Sequence, residues 1–399
     1  MNELNNKKEL FQFAKKRQQI HNYPIFQSET KLFWKRFFNK KSNIVIFSFL
    51  LAFILLTLIL LCFVKFSPIH SIDNKSDFVN NLPPYYSQII TRNFERGYQL
   101  DLIRSIENQE SIRAAKLGIK PIFRILYDSA RDSGGSLTVN TDIVALTYNP
   151  YDLIKAINLN QNSININILN KVLLGTTESG IDIYSRIFCA FALTTSIILL
   201  AIFINIFIGF SLAAFYVFNR YKWYGIVIDK IAVTLNAIPE IIWIFLLCIF
   251  LGTNWYGILI AFILISWISF YELSKNEILN LIQKEYIKAA KIIGLNNFQI
   301  TYRHLFKNVL PSLIILIADR LAINILIVAS LAFLDFLTAE SNLNIGTIFK
   351  EALSSIKVNP QYLIIVAVYI TIFCILLKLF SIGLSMTYDP KISKIINRI

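Results

Sequence analysis

Charge is scarce in this sequence: Asp, Glu, Lys and Arg make up 16% of its 399 residues, where an average soluble domain carries about 25%. With 55% hydrophobic residues and a mean hydropathy of +0.55, that deficit excludes an ordinary water-soluble globule and points to lipid as the main solvent. Histidine is nearly absent. His21, His70 and His304 lie far apart and in different expected regions, so no nucleophile–base pair or histidine metal site is expected. The four cysteines, Cys62, Cys189, Cys248 and Cys374, each sit in an apolar run without metal-ligand spacing. They read as small buried hydrophobes, which excludes a disulfide framework or zinc site. There is no Gly-x-x-x-x-Gly-Lys-Ser/Thr run, so the chain is not expected to cradle a nucleotide phosphate.

The charge that is present has a direction. The net value is +14, and Lys7, Lys8, Lys15, Lys16, Arg17, Lys31, Lys35, Arg36, Lys40 and Lys41 crowd the N-terminal segment against only Glu3, Glu9 and Glu29. Residues 42–64, immediately after, carry no charge. Basic residues packed against an apolar run place the N-terminus in the cytoplasm. Nucleic-acid binding is not expected from this placement, and the run lies too far along the chain for a cleaved signal peptide.

A helix crosses the hydrocarbon with about 20 apolar residues. Residues 42–64 are the first span, and the second lies within 187–219, a run longer than one crossing needs. Residues 231–271 hold one charge, Glu240. As a single helix they would reach about 60 Å, twice the hydrocarbon thickness, so they fold back. The turn is expected at Gly252-Thr253-Asn254, with Trp255 and Tyr256 at the interface. Residues 311–334 and 362–384 are the fifth and sixth spans. The expected fold is therefore all-α and polytopic, with six transmembrane helices and both termini in the cytoplasm.

Two regions fall on the far side. Residues 65–174 are as long as a small domain; 85–132 are rich in helix-compatible residues, Gly134-Gly135-Ser136 breaks the pattern, and 137–146 alternate enough to suggest a strand. The second region, 335–361, is shorter. On the cytoplasmic side, 277–294 read as one amphipathic helix. Ile278, Leu279, Leu281, Ile282, Tyr286, Ala289, Ala290 and Ile293 form its apolar face, and Gly294 ends it. Asn296 or Asn297 then caps a second short helix through Phe298, Ile300 and Leu305, and Pro311 opens the fifth span. By pattern alone this helix–turn–helix either docks on a soluble partner or lies on the membrane surface. Inside the spans, Glu240, Asp319 and Arg320 are costly and hence candidate pathway or subunit-contact residues. A link from the adjacent Asp319 and Arg320 to Glu240 or Lys378 is the packing alternative.

The run Glu285-Tyr286-Ile287-Lys288-Ala289-Ala290-Lys291-Ile292-Ile293-Gly294, followed by Arg303-His304 and Asn308, resembles the EAA loop of importer-type ABC permeases, nearest the C-type subunit of oligopeptide and dipeptide systems. Further matches follow in the family's order: Trp34-Lys35-Arg36-Phe37, the segment from Gly175-Thr176-Thr177-Glu178 to Ser185-Arg186, Ile238-Pro239, Ala329-Ser330-Leu331-Ala332-Phe333-Leu334 and Asp389-Pro390. Together they cover about 34–65 and 143–391. Lys288 stands in place of the family's glutamate, Phe306-Lys307 in place of Leu-Pro, and Ile181 in place of an arginine. The connection over 65–142 is longer than the family's.

The resemblance implies a type I importer transmembrane domain with a large extracytoplasmic insertion between helices 1 and 2. Its divisions are a basic segment 1–41, a first span 42–64, an insertion 65–174, a permease core 175–391 with its coupling loop at 272–310, and a tail 392–399. It further implies uptake of oligopeptides or dipeptides, with nickel or another solute as the alternative within the family and an ion-coupled secondary transporter as the rival outside it. The partners implied are a second homologous permease, two cytoplasmic ATP-binding subunits that hold ATP and Mg, an extracytoplasmic substrate-binding lipoprotein, and membrane lipid. This chain would bind no cofactor. Coupling to the ATPases falls to Glu285, Tyr286, Lys288, Ala289, Ala290, Gly294, Arg303 and His304.

Overall fold

Two helices open the described chain, α1 (Glu29–Asn39) and α2 (Lys41–Cys62). The computed structural model describes residues 29–73, 77–132, 143–160, 172–331, 342–356 and 358–388. The expectations for 1–28, for Gly134-Gly135-Ser136 and 137–142, for Ala332-Phe333-Leu334 and the run up to 341, for Asp389-Pro390 and for the tail fall outside those residues. α2 is apolar on all sides and buries little beyond Asn43 and Leu50, as a span facing lipid should. Its N-terminal end is fixed by Asn43, whose Nδ2 donates to Gly383 O at 3.4 Å and Thr387 Oγ1 at 3.2 Å on the last helix.

Beyond α2 the chain forms a small α/β unit: β1 (Ile90–Glu95), α3 (Tyr98–Leu117), β2 (Tyr127–Asp128), β3 (Ile143–Tyr148) and α4 (Pro150–Asn160). The strands form one antiparallel sheet in the order β1-β3-β2, with Ile90 opposite Tyr148 and Glu95 opposite Ile143. The all-α expectation thus fails for the insertion. Within 85–132 only 98–117 form a long helix. In β1, Ile90, Arg92 and Phe94 turn toward the core while Thr91, Asn93 and Glu95 face out, a period of two that is short enough to be lost among helix formers. The strand suggested over 137–146 begins, within the described residues, at Ile143 and runs to Tyr148. α3 buries Leu100, Ile103, Ile106, Glu110 and Ala114 at helical spacing, and these close over Val144, Leu146 and Tyr148.

The unit is stitched to the membrane bundle through the segment before the second span. Thr176 N donates to Leu82 O, Leu82 N donates to Thr176 Oγ1 at 2.8 Å, and Asn81 N donates to Thr177 O. Gly175, at φ +86°, lets these strands of chain close: a Cβ there would lie 2.2 Å from Leu82 O. Asp182 then caps α5 (Ile183–Phe218) by accepting from Ser185 N at 2.9 Å.

α5 is the central post of the bundle, 36 residues and about 54 Å long. Around it stand α6 (Trp223–Asn236), α7 (Glu240–Leu251), α8 (Trp255–Ile265), α9 (Trp267–Leu281), α10 (Glu285–Ile292), α11 (Phe306–Ser330), α12 (Ile345–Ser354) and α13 (Pro360–Tyr388). Among the described residues five helices are long and apolar enough to span a membrane, with α8 and α9 together forming one of them, and a sixth span results if the bent pair α6–α7 is counted as one. The turn at Gly252-Thr253-Asn254 is found as expected, but the third span is not straight. α6 and α7 meet at 92° because Pro239 removes a donor and drives Ile238 out of helical conformation.

Two further expectations change. The helix read over 277–294 is broken at 282–284. Pro311, expected to open the fifth span, lies inside α11, which continues from a one-turn helix (Asn297–Gln299) through a wide π turn (Ile300–Leu305). Bundle packing tolerates the lost hydrogen bond at Pro311.

In the outer unit, Glu110 is fully buried and accepts from Arg113 Nη2 at 2.7 Å, Ile122 N at 3.0 Å and Asn160 Nδ2 at 2.8 Å. The Arg113 hydrogen bond above all holds its carboxyl at about 2, against an ordinary 4.5. A depressed carboxyl contributes stability above its unfolded value and loses it as pH falls toward the folded one. Unfolding of residues 98–160, followed by hydrogen exchange, should therefore steepen between pH 4.5 and 2, and Glu110→Gln should flatten that dependence. At neutral pH, Glu110→Ala should cost the unit about 3 kcal/mol, because Arg113, the Ile122 amide and Asn160 all lose their acceptor.

Candidate functional site

The loop between α9 and α11 is built as a short helix docked on the bundle through Ile287 and Ala290. α9 ends by burying Ile278 and Leu281, and the chain turns at Ile282, Gln283 and Lys284 before α10 begins. That turn resets the helical register. Ile287 and Ala290, not Tyr286 and Ala289, pack against the bundle, so the continuous apolar face read from the sequence does not exist. Ala289, Tyr286 and Ile293 face outward instead.

Gly294 adopts φ +94°, with open space where a Cβ would be. Its role is conformational: it reverses the chain in the left-handed region, which costs an L-residue about 1–2 kcal/mol. Asn296 then caps the next turn, its Oδ1 accepting from Gln299 N at 2.8 Å while Gln299 Oε1 accepts from Asn296 N at 3.1 Å. Of the two cap candidates, Asn296 takes the role because this reciprocal box satisfies both exposed donors.

The outcome is an exposed apolar ridge. Tyr286 is 42% exposed, Ile292 86%, Ile293 81% and Phe298 70%, and small Ala289 lies between them one turn from Tyr286 and Ile293. Glu285 and Lys288 are exposed on the same short helix and Arg303 is exposed on the π turn, with His304 half-buried beside it. The ridge is tied back by Asn308, whose Nδ2 donates to Tyr286 Oη and His304 O, each at 3.0 Å. Lys291 Nζ sits 5.3 Å over the Phe218 ring at the end of α5, and Tyr302 Oη lies 2.7 Å from Ser211 Oγ on α5. The ridge is thereby in contact with the central post. In the sequence, Ile287, Ile292 and Phe298 stand only as members of the loop run and its second short helix, with no site role assigned to them; the available signal was that bulky apolar residues sit on both sides of Gly294, outside any one helical stripe.

Within the spans, Asp319 and Arg320 find partners in the same chain. Arg320 Nη1 donates to Glu240 Oε2 at 2.7 Å, and Ser266 Oγ donates to the other Glu240 oxygen. Lys378 pairs with Asp319. Being adjacent on a helix, the two residues point about 100° apart and reach opposite neighbours, α7 and α13. Arg320 Nε and both polar atoms of the buried Asn324, one turn further on, have no partner among the described residues. The Glu240–Arg320 pair fixes the start of α7, just past the 92° bend.

Among the described residues no group of His, Cys, Asp or Glu is arranged to hold a metal.

Residues 205–393 match the family described as binding-protein-dependent transport system inner membrane component. The chain is 25% identical over 219 residues to the glutathione transport system permease protein GsiD of Pectobacterium atrosepticum, covering 55% of this chain and 72% of that one. It is 23% identical over 229 residues to the dipeptide transport system permease protein DppC of Lactococcus lactis subsp. cremoris, covering 56% and 65%. It is 30% identical over 159 residues to the oligopeptide transport system permease protein OppC of Salmonella typhimurium, covering 39% and 52%. The chain thus spans between about half and three quarters of the length of these relatives.

Because Ile287 carries the docking of α10, Ile287→Ala should cost about 2–4 kcal/mol locally and raise hydrogen exchange across 285–299. Ala289→Ser, on the outer face, should leave exchange unchanged.

Proposed function

Since the chain belongs, through residues 205–393, to the inner-membrane components of binding-protein-dependent transport systems, we propose that it is one of two permease subunits of an ATP-driven peptide importer. The observation that carries this reading is the ridge of Tyr286, Ala289, Ile292, Ile293 and Phe298, apolar and exposed yet rigidly anchored through Ile287, Asn308 and Lys291. Bulky apolar side chains this open to water call for a partner surface. Glu285, Lys288 and Arg303 around them fix the register of docking by charge.

On this reading, cytoplasmic ATPase subunits receive the ridge in a groove, and closure of their nucleotide dimer, with ATP and Mg held there, is passed to α5 and α11. Both termini lie in the cytoplasm and the α/β unit lies outside, where it meets a substrate-binding lipoprotein. The names of the relatives support peptide cargo; the nickel alternative has no metal-binding group among the described residues to favour it. Glu240, Asp319 and Arg320 are the proposed lining of the pathway: their ion pairs are partly exposed, the neighbouring Asn324 amide has no partner among the described residues, and such pairs are poised to exchange partners as the bent third span moves.

Purification of the tagged chain in mild detergent should recover a second permease and ATP-binding subunits with ATPase activity. Gly294→Pro should release the ATPases, because proline cannot adopt positive φ. A chain that purifies alone, or uptake that survives ATP depletion and collapses with an ion gradient, would move the assignment to a secondary transporter.

An Asp319→Asn, Arg320→Gln double variant should express normally and lose peptide uptake; normal uptake would remove these residues from the pathway. Deleting residues 75–140 should abolish uptake while assembly with the ATPases persists.

A further inference from the structure

β1 is an edge strand. β3 occupies one side of it, and among the described residues no backbone–backbone hydrogen bond leaves Ile90–Glu95 on the other. In an antiparallel pair, half of a strand's N–H and C=O groups point away from its neighbour, so this strand presents an open ladder about 20 Å long. Natural sheets blunt such edges with proline, charged side chains, a bulge or brevity. β1 contains no proline, its register with β3 runs unbroken over all six pairs, and its charges are Arg92, turned inward, and Glu95. The opposite edge, β2, is only two residues long.

Two cavities of about 760 and 600 Å³ lie along the open strand, each within the range of about 300–1,000 Å³ that holds small organic ligands. The first is lined by every residue from Arg92 to Gln99 and the second by every residue from Ile89 to Asn93. A cavity over one face of a pleated strand meets alternate residues; consecutive residues mean that these follow the backbone edge. They meet at Asn81, Arg92 and Asn93. There Arg92 donates to Asn80 O at 2.9 Å and to Asn81 O, tying the strand to the facing loop. The second cavity ends on Asn359, Pro360 and Gln361, at the start of α13, so the open edge leads onto the membrane bundle. The first carries both signs of charge, Arg92 and Arg96 with Asp77, Glu95 and Glu178. That mixture suits a zwitterionic chain better than a ligand of one sign.

We propose that the free edge of β1 is a docking strand for the transported peptide, which adds to the sheet in extended form as a fourth strand. This rests on the peptide-importer reading. Main-chain hydrogen bonds supply the attachment, and because they ignore side chains they accept cargo of varied sequence. The split of the groove by Arg92 leaves one compartment for each half of a short peptide, with the second opening toward α13.

The test uses the assembled transporter reconstituted in sealed lipid vesicles loaded with ATP, with a benzophenone side chain at position 93 and, as control, at position 112 on α3. The probe is a fluorescent pentapeptide of alternating alanine and valine. Two analogues carry N-methyl groups on amides 2 and 4, or on amides 3 and 5. Light-induced capture should occur at position 93 and not at 112, and one analogue should lose capture about tenfold or more while the other retains it, since only alternate amides face β1. Equal loss or equal retention for both analogues, equal capture at both positions, or capture of the binding lipoprotein in place of the peptide would overturn the proposal. ATP-dependent uptake of the parent peptide is measured in the same preparation. Uptake without registered capture defeats the docking strand alone, whereas absence of uptake defeats the importer reading as well.

Discussion

Backbone hydrogen bonding in lipid is the constraint on which the rest of this structure depends. No water is available in the hydrocarbon, so each N–H and C=O of a spanning segment must find its partner within the segment. The apolar runs of the sequence therefore become helices whatever their local propensities. α5 is rich in β-branched and aromatic residues that disfavour helix in water, yet it is continuous over Ile183–Phe218. Each interruption has a local cause or a local remedy. Pro239 forces the bend between α6 and α7, and Trp243 Nε1 donates there to Leu235 O at 3.0 Å, recovering a freed carbonyl. Ser266 breaks α8 from α9 while its hydroxyl engages Glu240.

Where the chain leaves lipid the constraint is lifted, and the structure changes character. The outer unit mixes a sheet with helices and holds its own hydrophobic cluster, centred on Leu100, Ile106, Phe123, Leu146 and Ile157. It is joined to the bundle by more than a linker. Arg186, fully buried near the N-terminal end of α5, pairs through Nε and Nη2 with Glu351 on α12 and donates from Nη1 to Pro68 O at 2.7 Å. One side chain thus ties the exit of the first span, the entry of the second and the helix before the last. A buried arginine with these acceptors is costly to leave unpaired, so the three segments hold one arrangement.

The parts of the fold that could be read from the sequence were those set by long-range composition. The spans, the turn at Gly252-Thr253-Asn254 and the break at Gly294 follow from run length and from residues with restricted or unusual backbone freedom. β1 and β3 were harder to read, because six residues of alternation weigh little beside a 20-residue helix such as Tyr98–Leu117. In the loop, the apolar stripe over 277–294 was real as a count but wrong as a face. A three-residue turn at 282–284 rotates everything after it, so Ile287 replaces Tyr286 as the anchor and the ridge of Ile292, Ile293 and Phe298 is left in water.

The sequence by itself determined that this is a multi-pass membrane protein with spans at defined positions, and its motifs pointed to the importer permeases, because both depend on the kinds of residue present and their order. Only the tertiary structure decided which charges meet. Arg320 and Asp319 are neighbours in the chain but part to Glu240 and Lys378, each far away in sequence. It also decided which edge of the sheet is unpaired among the described residues and which loop residues are exposed. Those outcomes depend on helix rotation and strand order, which short-range patterns leave free and packing alone fixes.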